Sequence, residues 1–193
     1  MSDTTPTAPA TELDAERTDL LAALAAARAA LTATVDGLTD EQAGERPTAS
    51  ALCLGGLVKH VTRVEERWLR FVVEGPGGMH ARLPEGVSWG DIMSGAAEPP
   101  QWMIDHQQAF TMRPGETVAE VLRSYEEVAA RTAETVAALP DLSAAHPLPE
   151  APWQPPGQSW SARRVLAHVI AETSQHAGHA DIIRETLDGR TAT

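Results

Sequence analysis

The chain has 193 residues, with 15 lysines and arginines against 27 aspartates and glutamates and a formal net charge of −12. That length suits one domain with a sizeable core, and the acidic balance excludes the basic footprint of a nucleic-acid binder and disfavours anionic lipid. The single cysteine, Cys53, excludes an internal disulfide framework and fits a reducing compartment. The opening stretch MSDTTPTAPATELD has no basic n-region and no apolar h-region. No apolar run reaches the roughly 18 residues that a membrane span needs. The expectation is a cytoplasmic protein with a small-molecule substrate and neither nucleic acid nor membrane as partner.

Residues 1–10 are mostly Thr, Pro and Ala, a composition that cannot offset its ordering entropy, and are expected to form a disordered tail ahead of one domain over 11–193. From Thr11 to Gly37, Leu13, Leu20, Leu24, Leu31, Val35 and Leu38 recur at helical spacings, giving a first amphipathic helix with a bundle-type seam. Its Ala-rich surface leaves room for a homodimer, although an intramolecular core explains the stripe equally well. ThrAspGluGln at 39–42 has the form of a capping box and predicts a short turn of helix.

A second long helix is predicted from Ala49 or Ser50 to Glu74, ending before GlyProGlyGly at 75–78. Leu54, Leu57, Val61, Val64, Trp68 and Phe71 or Val72 make its apolar face. His60 falls at the edge of that face, while Lys59, Arg63, Glu66, Arg67 and Arg70 mostly point away. Residues 75–115 form a long excursion with no sustained period, apart from a short helix within WMIDHQQAF at 102–110. Trp89, Trp102, Met103 and Phe110 either cover the open end of a site or simply pack the excursion down. His80 and His106 are expected to face solvent or bond locally.

ThrValAlaGlu at 117–120 is a second capping box and opens a third helix running to Leu139, where Pro140 stops it. The proline-rich 140–158, which contains His146, reads as a crossover. No segment carries a strand pattern. The fourth helix, Ser159 to Leu187, departs from the usual hydrocarbon stripe. At about 100° per residue, Val165, Val169, Glu172, His176, His179, Ile183 and Leu187 share one face. Polar groups turned to a core are costly unless satisfied, and a metal ion satisfies a carboxylate and imidazoles together.

Four long amphipathic helices define an all-α antiparallel four-helix bundle, with a long excursion between the second and third helices. In such bundles metal sites are built from inward side chains on facing helices, here His60, Glu172 and His176. Two imidazoles and a carboxylate with open positions suit Zn2+, or alternatively Ni2+ or Fe2+. His179 is a fourth ligand, a partner in the surrounding shell or a substrate contact; His168, one turn before Glu172, is placed to orient that carboxylate. The competing account is a metal-free hydrogen-bond network. Cys53, two helical turns before His60 and roughly 10 Å of rise away, is a small buried hydrophobe rather than a nucleophile.

GLVKHVTRVEERW (55–68) and WSARRVLAHVIAETSQHAGHADIIRE (160–185), with the tryptophan-rich middle WMIDH, resemble the DinB/YfiT-like superfamily of metalloenzymes. The likeness is greatest to its actinobacterial branch of unknown function and covers nearly all of the chain after residue 11. It implies a bundle running up, down, down, up, with one metal ligand on the second helix and two on the fourth. His60 and His176 match the first and last ligands. Glu172 stands where many relatives carry histidine, as it does in the mycothiol-dependent maleylpyruvate isomerases, and His179 where many carry glutamine. The resemblance implies a metal-dependent thiol S-transferase that uses a low-molecular-weight thiol such as mycothiol on small electrophiles, the metal lowering the thiol pKa. The alternative is a non-catalytic stress protein that binds a metal or small ligand. Arg63 or Arg164 near the mouth is a candidate for holding a thiol's carboxylate, and no residue is assigned a catalytic role.

Overall fold

The computed structural model describes residues 13–79 and 82–191. The expected tail at 1–10 and the expectation for His80 lie outside the described residues. The described residues are mostly helical, with four long helices among them: α1 (Ala15–Ala33), α3 (Leu54–Glu74), α6 (Val118–Ala138) and α7 (Ala162–Asp188). Three short ones, α2 (Asp40–Gly44), α4 (Trp89–Ser94) and α5 (Gln101–Gln108), and a 3-10 turn at Gly75–Met79 occupy the connections. No helix among the described residues is long and apolar enough to cross a membrane.

Local chemistry sets the helix boundaries. Asp14 caps α1 by accepting from the Arg17 backbone N–H at 2.8 Å, and the expected capping boxes form at Thr39–Gln42 and Thr117–Glu120. Asp40 Oδ1 also accepts from Val118 N at 2.8 Å, tying α2 to the start of α6. The α1 helix closes at Ala33, earlier than Gly37; the chain turns on through Thr34 to Gly37, whose φ of 73° suits glycine. The α3 helix begins at Leu54 rather than at residue 49 or 50, because Ala49, Ser50 and Ala51 form a bend held by Thr48 and Ser50 side-chain hydrogen bonds.

One expectation is corrected. Within the proline-rich crossover, Ala145–Pro147 (β1) pairs antiparallel with Ser159–Ser161 (β2), with His146 opposite Trp160. Each strand is three residues long, too short to leave an alternation in the sequence. The ribbon pins both ends of the crossover, and His146 hydrogen-bonds through Nε2 to the Val72 carbonyl oxygen at 3.2 Å. It thereby ties the ribbon to the end of α3.

The long helices pack α1 against α7 and α6, and α3 against α6 and α7. Their apolar side chains form two clusters. One holds Leu24, Val64, Trp68, Phe71, Val136, Val165 and Val169, and the other Leu31, Leu57, Val61, Tyr125, Ala177 and Ile183. On each helix a polar residue interrupts the stripe between the two clusters: Arg28, Glu65, Thr132 and Thr173. Glu65 is 1% exposed. Arg28 forks onto both its oxygens and the Thr132 hydroxyl donates to Oε1 at 2.5 Å. This layer neutralises a carboxylate that the core would otherwise reject. Burial, with Glu65 nearby, pushes the Tyr125 phenol upward and keeps it protonated.

Candidate metal centre

His60 is carried by the middle of α3 and Glu172 and His176 by consecutive turns of α7, two helices that pack directly together. Separation by four residues puts the Glu172 and His176 side chains one above the other. One donor atom from each of His60, Glu172 and His176 can be chosen so that all lie within 4.8 Å of one another. The rings of His60 and His176 are 4.8 Å apart at 73°. His176 Nε2 stands 3.6 Å from Glu172 Oε2, beyond a good hydrogen bond.

His60 is 4% exposed, and among the described residues its buried Nδ1 has no hydrogen-bond partner. An orphaned imidazole nitrogen in a core is unfavourable, and a cation among these three donors would satisfy it. Burial, with His176, His106, Arg67 and Arg63 nearby, pushes the His60 pKa down to about 3. Burial likewise lowers His176, with Glu172 opposing the shift. Both imidazoles are therefore neutral at physiological pH, the state in which a ring nitrogen can coordinate a cation. Donor chemistry, separation and the orphaned nitrogen together fit a divalent ion.

The segment after α5 completes the wall. Phe110 stacks on His60, with centroids 3.8 Å apart at 22°. The approach depends on Gly56: a Cβ there would run into the Phe110 carbonyl and come within 2.8 Å of the Thr111 nitrogen. Cys53 is buried, and its Sγ donates to the same Phe110 carbonyl oxygen at 3.5 Å. It serves as a packing residue.

The remaining histidines are placed unevenly. His168 is half-buried, 3.9 Å from Glu172 Oε1, with its ring against Trp68 and Trp160. His179 is exposed, so the inward face of α7 is narrower than the helical wheel suggests; Thr173, Ala177 and Ala180 fill the core stripe instead. Among the described residues its Nδ1 reaches only His176 Nδ1, at 3.5 Å. His106, expected to face solvent or bond locally, sits against His60 with centroids 5.2 Å apart.

A cleft of about 530 Å3 opens onto this group and is lined by His60, His106, His168, Glu172 and Arg67. Trp89, Trp102 and Phe110 also line it, as the covering reading of the excursion predicts, whereas Met103 does not. Arg67, which the helical wheel pointed away, turns into the cleft. Its charge and that of Glu172 act on one another, and burial lowers its pKa from the ordinary arginine value. The signal was its position two helical turns beyond His60, on nearly the same side of α3. Arg63 donates to the Asp105 carbonyl oxygen at 2.7 Å, and the Arg164 guanidinium lies 4.8 Å from the centre of the Trp160 ring.

The class of protein follows: a predominantly helical chain in which two imidazoles and a carboxylate from two packed helices meet beside an aromatic cleft that His60 and Glu172 line. The mycothiol-S-transferase family model matches residues 19–189, and the chain belongs to this family, within the DinB/YfiT-like superfamily that its motifs resemble. No curated protein matches the chain.

Proposed function

We propose that this protein is a metal-dependent S-transferase that joins a mycothiol-type thiol to a small electrophile. The four long helices are read as the DinB-type bundle, running up, down, down, up, in a single cytoplasmic domain from residue 11 onward. His60, Glu172 and His176 would hold the divalent ion, Zn2+ being the first choice for two imidazoles and a carboxylate. The observation that carries this reading is the convergence of the three donors, with the His60 Nδ1 buried and unpartnered among the described residues, beside an aromatic cleft lined by His60 and Glu172.

A divalent cation bound there lowers the pKa of a thiol, so that sulfur is deprotonated near neutral pH. In the overall reaction sulfur forms a bond to the electrophilic carbon, the bond to the leaving group breaks, and the thiol proton passes to solvent. The protein's part is to hold the reactants and exclude water. Phe110 covers the ring of His60, Trp68 and Trp160 hold the His168 ring, and the tryptophan walls present an apolar surface to the acceptor.

The test is fluorescence conjugation of mycothiol to monochlorobimane by the purified protein. Thiol consumption above the uncatalysed rate, abolished by His176→Ala, is expected. Metal bound without any thiol consumption would instead identify a binding protein.

A further inference from the structure

The metal-facing cleft adjoins a second cavity of about 320 Å3, and Val64, Arg67, Met79, Trp102 and His106 line both. Arg63, Arg67, Arg70 and Arg113 all line this second cavity, four of the chain's 15 basic side chains in a protein of net charge −12. Two carboxylates, Glu66 and Asp105, also line it. Glu66 lies 3.4 Å from Arg131 and 3.8 Å from Arg70, and Asp105 Oδ1 accepts from Gln101 Nε2 at 2.9 Å.

Part of this charge is engaged within the fold, Arg70 with Glu66, Arg63 with the Asp105 carbonyl oxygen and Arg113 with Gln108 Oε1, but Arg67 is not. Among the described residues Arg67 Nε and Arg70 Nε are buried without hydrogen-bond partners. Among the described residues no carboxylate comes within ion-pair distance of Arg67. A partly desolvated guanidinium left unpaired is unfavourable, and a bound anion is the partner its fork of donors fits best. Burial also lowers the Arg67 pKa, the same physical cost seen from the titration side.

The other compartment adds a broad aromatic wall to its histidines, Glu172 and Arg67. All five of the chain's tryptophans, Trp68, Trp89, Trp102, Trp153 and Trp160, line the metal-facing cleft. Trp89 and Trp102 already donate their indole N–H to the carbonyl oxygens of Glu150 and Arg82, both at 3.2 Å. Their remaining surface is hydrocarbon and π-face, suited to a flat apolar body.

We propose that the electrophile is a flat, apolar or aromatic molecule bearing one carboxylate-like anion, its body against the tryptophans and its anion on Arg67, flanked by Arg63 and Arg70. The proposal rests on the transferase reading for the word electrophile; the anion subsite stands on the cavity alone.

The probes are 2-naphthoate and its neutral isostere 2-naphthamide, titrated calorimetrically into the full-length protein as purified and again after chelator treatment. Naphthoate should bind about tenfold more tightly in both states. That preference should vanish in Arg67→Met, shrink in Arg70→Met and partly return in Arg67→Lys, with circular dichroism confirming that each variant is folded. Equal binding of the two probes overturns the subsite. So does a preference that survives Arg67→Met, or one that chelation alone removes, which would put the carboxylate on the metal. In parallel, mycothiol conjugation of 4-(bromomethyl)benzoate is compared with that of its methyl ester. Naphthoate preference without conjugation of either ester or acid supports the subsite and overturns the transferase reading. Conjugation without preference for the acid does the reverse.

Discussion

The rings of His60 and His176 lie 4.8 Å apart and nearly perpendicular, although one belongs to the middle of α3 and the other to the second half of α7. Among the described residues His60 Nδ1 has no hydrogen-bond partner, and the polar groups that His176 meets are only Glu172 at 3.6 Å and His179 at 3.5 Å. Metal content should therefore follow the donors: His60→Ala or His176→Ala should reduce bound divalent ion from about one per chain to near zero, and Glu172→Gln should weaken retention, as read by mass spectrometry after dialysis. A variant of His179, exposed and with His176 as its hydrogen-bond partner, should retain the ion.

The direction of the His60 shift sets a pH dependence. Its folded pKa, about 3, lies below the ordinary 6.5. Between those values the unfolded chain binds a proton that the folded chain refuses. Stability from this group is thus complete above about pH 6.5 and is lost as pH falls toward 3. The metal-free protein should lose about 2 kcal/mol between pH 6.5 and 5 through His60 alone. Urea unfolding of wild type against His60→Phe, where the apolar ring cannot titrate, isolates this part: wild type should gain stability relative to the variant as pH rises from about 5 to 6.5.

The buried Glu65 makes a separate prediction about the core. Arg28→Met strands a carboxylate that is 1% exposed and should cost about 3–5 kcal/mol in denaturant unfolding. Arg28→Met combined with Glu65→Leu should recover most of that loss, since the pair then becomes hydrocarbon.

Gly56 links packing to the site. Gly56→Ala places a methyl group against the Phe110 carbonyl and the Thr111 nitrogen, both backbone, which no rotamer change relieves. The segment carrying Phe110 must move off His60. The variant should unfold at lower denaturant and hold metal more weakly, whereas Gly178→Ala, which meets nothing within 4 Å, should do neither.

Most of the helical plan was legible because the long helices carry regular apolar stripes and explicit caps, such as Thr117 and Glu120. The meeting of His60, Glu172 and His176 was legible for the opposite reason: they sit where hydrocarbon is expected. The three-residue strands were not, because their pairing depends on where the crossover ends. Arg67 and His106 were also missed. A helical wheel marks where a side chain leaves its own helix, but not which loop arrives to bury it. Trp102, Phe110 and the 149–154 segment bring walls to α3 that no period in α3 announces.

Anomalous diffraction from crystals of the purified protein, collected across the absorption edges of zinc, nickel and iron, tests the central claim most directly. The account predicts one peak per chain between α3 and α7, within bonding distance of His60, Glu172 and His176. No peak there, in protein whose unfolding is unchanged by chelator, would contradict it.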